Sequence, residues 1–158
     1  MDAAKKEQGA VLVEFALVLV PLLLIAVGFL QLGLAMNAKI DSTHLTAEGA
    51  RYIAVNQNPG LSASPATTMQ NFIRSRAGTA SLRLATVCIS YPSNPATGTA
   101  GSVGDPVRVT MQRTYDLTAS SRIAALKGLG LPLSIDVLST ATMRLEALPT
   151  NVPAGCVT

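Results

Sequence analysis

Few residues in this chain are of the types that do chemistry, and their spacing limits what they can do. The single histidine, His44, stands close to Asp41 and Ser42, the three residue types of a nucleophilic hydrolase. On one helix Asp41 and His44 meet at i to i+3 while Ser42 points to another face, so the set builds no triad. One histidine and two distant cysteines, Cys88 and Cys156, fall short of the three or four ligands that zinc takes, so no metal is expected. The chain has neither a P-loop nor a dinucleotide-binding glycine pattern. No catalytic residue, no cofactor and no enzymatic activity are therefore expected. Glu48 and Arg51 can pair across one helical turn, but an exposed pair of that kind is worth only a few tenths of a kcal/mol.

The residue that most needs an explanation is Glu14, the one charge between Ala10 and Ala38. At about 1.5 Å rise per residue, the stretch from Ala10 to Leu30 spans roughly 30 Å as a helix, the thickness of a bilayer's hydrocarbon core. A carboxylate inside that core costs about 2.5 to 3.5 kcal/mol on insertion scales and is kept where something offsets the cost. Two readings follow. If the chain is cut between Gly9 and Ala10, the new α-amino group lies four residues before Glu14, and the amine of a neighbouring copy neutralises Glu14 and sets the register between subunits. Alternatively, Glu14 lies near enough to the interface to stay hydrated, one turn inside Lys5 and Lys6.

The flanks set the orientation. Lys5 and Lys6 precede the apolar run, whereas Lys39 and Asp41 follow it and cancel, so the positive-inside bias keeps the N-terminus cytoplasmic and exports the rest. An ordinary removable signal has a shorter apolar core, about 7 to 15 residues, and no glutamate in it. Cys88 and Cys156 both fall in the exported part, where an oxidising compartment can join them, although two unpaired thiols remain the alternative. A net charge of +3 does not by itself point to nucleic acid. From Lys39 onward ten Lys and Arg face six Asp and Glu, and the arginines are scattered without interleaved aromatics. A solvated surface accounts for them, and no nucleic-acid partner is expected.

The elements that position these residues read as α+β. With 158 residues, about 38 of them leader and membrane helix, the remainder suffices for one small domain. Leu45, Tyr52 and Val55 fall at near-helical spacing beside the small Ala47, Ala50 and Ala54, and Asn56 to Gly60 supply a stop. One helix from about Ala10 to Asn56 is expected, its second half serving as the spine of the head. Ser64 followed by Pro65 reads as an N-cap with proline at the first helical position, and Met69, Phe72, Ile73 and Arg76 share a face before Gly78 ends this second helix. Period-two patterns predict half-buried strands at Leu82 to Tyr91, Val107 to Tyr115 and Leu133 to Ala147. A loop rich in Pro, Gly, Ser and Thr separates the first two, and Ser120 to Lys127 reads as a brief helix. The expectation is a three-stranded antiparallel sheet covered by the long helix, with an irregular tail from Pro149 to Cys156.

Two motifs carry a resemblance. Gly9 followed by AVLVEF is similar to the processing site of type IV-type prepilins: a short polar leader, cleavage after glycine, glutamate at the fifth position after the cut, then an aromatic residue, here Phe15. The continuation FALVLVPLLLIAVGFLQLG, with AEGARYIA at Ala47 to Ala54, resembles the TadE-like family of small pilins of the Tad (Flp) pilus system. Pro21 within the apolar run fits that family, whereas Gln31 stands where many members carry a second acidic residue. The resemblance implies a pilin-like fold divided into a leader (1–9), a membrane and assembly helix (10–36) and an exported head (37–158). It implies a minor pilin or pseudopilin taking part in pilus assembly and adhesion, with Gly9 and Ala10 as the cleavage site and Glu14, Phe15 and Pro21 in assembly. Glu48, Gly49, Ala50 and Arg51 would then have a packing role in the head. The implied partners are other pilin subunits, a prepilin peptidase, an inner-membrane assembly platform and membrane lipid. The alternative is a membrane-anchored extracytoplasmic binding module that does not polymerise, in which the loop from Pro92 to Asp105 contacts a ligand or surface.

Overall fold

The computed structural model describes residues 2–63, 65–116 and 134–158. It divides into two compact units, Met1–Leu34 and Ala35–Thr158, with the division falling inside the first helix. That helix, α1, runs Asp2–Ala54. It begins earlier than the expected Ala10, as the alanine, lysine, glutamate and glutamine of residues 2–8 are good helix formers. In the first unit the apolar side chains from Val11 to Leu34 are open, with Phe15, Leu17 and Leu30 each more than half exposed.

The second unit contains the rest of α1, a short helix α2 (Met69–Ser75), a 3-10 turn at Leu82–Leu84 and four strands: β1 (Thr86–Ser90), β2 (Pro106–Asp116), β3 (Ser134–Arg144) and β4 (Gly155–Val157). They form one sheet in the order β3-β2-β1-β4, with every neighbouring pair antiparallel. The core lies on one face of it. Val87 and Ile89 of β1 and Val107, Val109 and Met111 of β2 point inward, and Leu45, Ala50 and Ile53 of α1 meet them there with Met69 and Ile73 of α2. Arg108 and Gln112 point to solvent on the opposite face, the alternation expected of a sheet buried on one side.

Four expectations need correction. The sheet has four strands, not three. The fourth is part of the tail read as irregular, and three residues are too few to show a period-two pattern. The first strand starts at Thr86 rather than Leu82, because two arginines hold the preceding residues in a turn: Arg83 Nε donates to Ala77 O at 3.1 Å, and Arg74 Nε donates to Arg83 O at 2.9 Å. The second helix is capped by Thr68, whose hydroxyl accepts from Asn71 N, and not by Ser64. Residues 65–67 belong instead to a loop closed by Thr67 N donating to Gly60 O at 2.8 Å. Gly60 permits that closure, since a Cβ there would stand 2.6 Å from Thr67 O. Ser64 itself and the helix read at Ser120 to Lys127 lie outside the described residues.

Helix α1 ends as its asparagine predicts. Asn56 adopts φ +53°, with Asn56 N donating to Ile53 O at 2.9 Å and Gln57 N to Tyr52 O at 2.8 Å. This is a Schellman closure with asparagine in the left-handed position more often taken by glycine. The side chain is also used: Asn56 Nδ2 donates to Thr150 Oγ1 at 2.9 Å, and its Oδ1 accepts from Asn151 N at 3.1 Å. One residue thus stops the helix and ties down the tail.

Candidate functional site

In the first unit the expected assembly residues lie along one helix. Glu14 and Phe15 are exposed, Pro21 sits within the helix, and Gly9 and Ala10 precede them in the same element. Proline in a helix interior removes one ladder hydrogen bond and weakens the helix locally. Added side-chain carbons at Gly28 and Gly33 would meet nothing within 4 Å. The surface from Val11 to Leu34 is therefore mostly apolar and exposed, with Glu14 as its one charged side chain and Gln31 as its one amide.

In the second unit the Glu48-Gly49-Ala50-Arg51 motif splits by face. Glu48 and Arg51 point to solvent, whereas Gly49 and Ala50 are buried. A Cβ at Gly49 would come within 2.6 Å of Ile73 Cδ1 and 3.1 Å of Cγ1, so the missing side chain is what seats α2 on α1. Beside that contact the Tyr52 and Phe72 rings meet edge to face at 6.3 Å, and Arg76 lies over the Phe72 ring at 5.5 Å. A shallow cleft lined by Glu48, Arg51, Tyr52, Val55 and Gln57 opens on the solvent side of the helix end.

The Asp41, Ser42 and His44 set has three separate fates. Asp41 Oδ2 accepts from Gly78 N at 2.9 Å, and His44 is exposed. Ser42 Oγ is 2.6 Å from Ser139 Oγ on β3. Lys39 Nζ donates to Leu138 O and lies 3.3 Å from Ser139 Oγ. A lysine beside two serines is a nucleophile-and-base combination by type, yet Ser42 and Ser139 are buried at 0% and 3% exposure. Out of reach of a substrate, these hydroxyls serve to join α1 to β3.

Cys88 and Cys156 are joined by a disulfide, and they are directly opposed in the β1–β4 register. A group that sequence reasoning missed is Asp105, buried at the end of the long loop before β2. Its carboxylate accepts from Ser102 N and Thr99 Oγ1, both at 2.9 Å, and from Asn94 Nδ2 at 3.1 Å. Burial pushes this carboxyl up, but the hydrogen bonds from Ser102, Thr99, Asn94 and Thr97 outweigh it and hold the group below the ordinary 3.8. Gly98, Gly101 and Gly104 all take positive φ around it, so an exposed loop has one fixed backbone path. The signal for it was a lone aspartate among loop glycines, which periodicity does not weigh.

Taken by itself each unit is simple: one helix long and apolar enough to cross a membrane, and one disulfide-bonded α+β head. A family model described as TadE-like protein matches residues 9–51, from the glycine before the apolar run to the arginine of the Glu48-Gly49-Ala50-Arg51 motif. The chain thus carries a segment similar to TadE-like proteins. Neither the curated proteins nor the solved structures gave a match.

Proposed function

We propose that the chain is a minor pilin or pseudopilin of a Tad/Flp pilus. It is inserted with its N-terminus cytoplasmic and its head outside, and a prepilin peptidase cuts it after Gly9. Its apolar helix then joins or primes a bundle of pilin subunits, with Glu14 facing the Ala10 amine of a neighbour. Lateral burial of apolar surface supplies contact, and the charge pair supplies register. The observation that supports this reading is that Glu14 is the single charged side chain on the mostly apolar, exposed helix surface from Val11 to Leu34, inside the TadE-like match. The partners are other pilin subunits, the assembly platform and lipid, and the head works by contact in assembly and adhesion rather than by catalysis, with no cofactor. The fixed loop around Asp105 favours a second reading, an anchored head that presents this loop to a ligand without polymerising.

Intact mass and N-terminal sequencing of the protein from its own membranes separate the two, with a Gly9→Leu variant alongside. The pilin reading expects a native chain starting at Ala10 and an uncut variant. A native chain that keeps residues 1 to 9 sinks it and leaves the anchored module.

A further inference from the structure

Strand β4 closes one edge of the sheet with very little. It pairs with β1 over three positions only: Val87 with Val157, Cys88 with Cys156 and Ile89 with Gly155. It contributes no core side chain, since Gly155 has none, Cys156 is exposed and Val157 is half-buried. Beyond the ladder, among the described residues, its backbone receives one long hydrogen bond, from Gln70 Nε2 to Gly155 O at 3.3 Å. The residues just before it are held quite differently. Val152 is fully buried and its carbonyl accepts from Tyr91 Oη at 2.6 Å, and Asn151 O accepts from Asn58 Nδ2 at 2.9 Å. The chain is therefore anchored up to Val152 by burial and hydrogen bonds independent of the bridge, and from Pro153 onward chiefly by the bridge.

We infer that the Cys88–Cys156 disulfide is a reducible latch. Opening it undocks residues 153–158 and bares the outer backbone edge of β1, while β1, β2, β3 and both helices stay folded. Cys156 is exposed and Cys88 half-buried, so Cys156 is the side of the bridge that an external thiolate attacks. In the exchange a dithiol reductant's thiolate attacks Cys156 Sγ, the intramolecular S–S bond breaks, and Cys88 leaves as a thiolate and takes up a proton. The reductant's second thiol then displaces Cys156, so the protein gains two electrons and two protons and the reductant becomes a disulfide. Undocking follows because a three-residue ladder at a solvent-facing end, with only Val157 half-buried, does not offset the backbone entropy of ordering it. Oxidation docks the strand again, so the sheet has four strands in an oxidising compartment and three in a reducing one.

The test is amide hydrogen exchange on the full chain in detergent micelles. The oxidised protein is compared with the same protein reduced under native conditions by dithiothreitol, and with a Cys88→Ser/Cys156→Ser variant. The expected result is loss of protection for residues 153–158 and for those amides of β1 that face β4. Protection in the β2–β3 ladder should be unchanged, and that at β4 should return on reoxidation by oxidised glutathione. Unchanged exchange at β4 after reduction overturns the latch, as does a bridge that native dithiothreitol leaves intact. Loss of protection across β2 and β3 in the reduced wild-type chain also overturns it, because the bridge would then hold the whole head.

Discussion

One helix, α1, is built in two ways along its length. From Val11 to Leu34 it is apolar apart from Glu14 and Gln31 and mostly exposed, whereas from Ala35 to Ala54 its inward positions are buried and mostly small: Ala35, Ala38, Ser42, Thr46, Gly49 and Ala50. The first composition is the one a helix needs when its whole circumference meets lipid or other apolar helices. The second lets a sheet and a second helix come close, with larger Leu45 and Ile53 filling what remains. Secondary structure is the same in both, so the solvent each stretch is written for lies in side-chain size and distribution.

Substitutions that are conservative in one stretch and disruptive in the other break this comparison most sharply. Ile53→Ala, at a position fully buried in the head, should lower unfolding stability by about 2–5 kcal/mol, read by thermal or urea unfolding of the full chain in micelles. Leu23→Ala, at a position 53% exposed in the first unit, should leave that unfolding transition unchanged. Leu23→Lys should likewise spare the head but add about 3 kcal/mol to the cost of inserting the helix, measured by partition between membrane and soluble fractions. If Leu23→Lys unfolds the head, the two stretches are not energetically separate.

A smaller effect is expected where the helix stops. Asn56→Ala places a Cβ-bearing residue without a local polar group in the left-handed region and removes both side-chain bonds to the tail, costing about 1–2 kcal/mol. Asn56→Gly keeps the turn and removes only the bonds to Thr150 and Asn151. It should therefore be milder, and its effect should appear as faster amide exchange in residues 150–151 rather than as a lower melting temperature. Equal damage from both variants would mean that the tie to the tail, not the turn, is what Asn56 supplies.

How much of this was legible beforehand follows from which interactions are local. The long helix, its stop at Asn56, the inward face of Val107, Val109 and Met111, and the alternation through Ser139 could be read, because each depends on neighbours in sequence. The TadE-like segment could be read for the same reason, as two short motifs at a set distance. Strand β4, the Thr68 cap and the Asp105 hub could not. β4 exists through a partner 68 residues away. The capping site moved from Ser64 to Thr68 because Thr67 closes back on Gly60. Asp105 collects donors from a loop whose path three positive-φ glycines fix. Gly49 and Ala50 were read as small residues for close packing, but only the fold shows Ile73 as the side chain that needs the room.

The finest test concerns the tail's hold on the head. Tyr91 donates its hydroxyl proton to Val152 O, and burial pushes that hydroxyl up from 10.0 to about 12. The folded value lies above the unfolded one, so the stability this group contributes is complete below pH 10 and is lost as pH rises from 10 towards 12. Ionisation there removes the one proton the bond depends on and leaves a phenolate facing a carbonyl oxygen. Tyr91→Phe lacks both the bond and the titration. At pH 7 the variant should be less stable by about 1 kcal/mol, the net worth of one hydrogen bond. Between pH 10 and 12 its stability should fall less steeply than the parent's, so that the difference between them shrinks. Other titrating groups are common to both proteins and cancel in that difference, which isolates Tyr91. Parallel curves across this window would mean that Val152 is held by its buried side chain alone, and that the hydroxyl adds nothing to the tail's attachment.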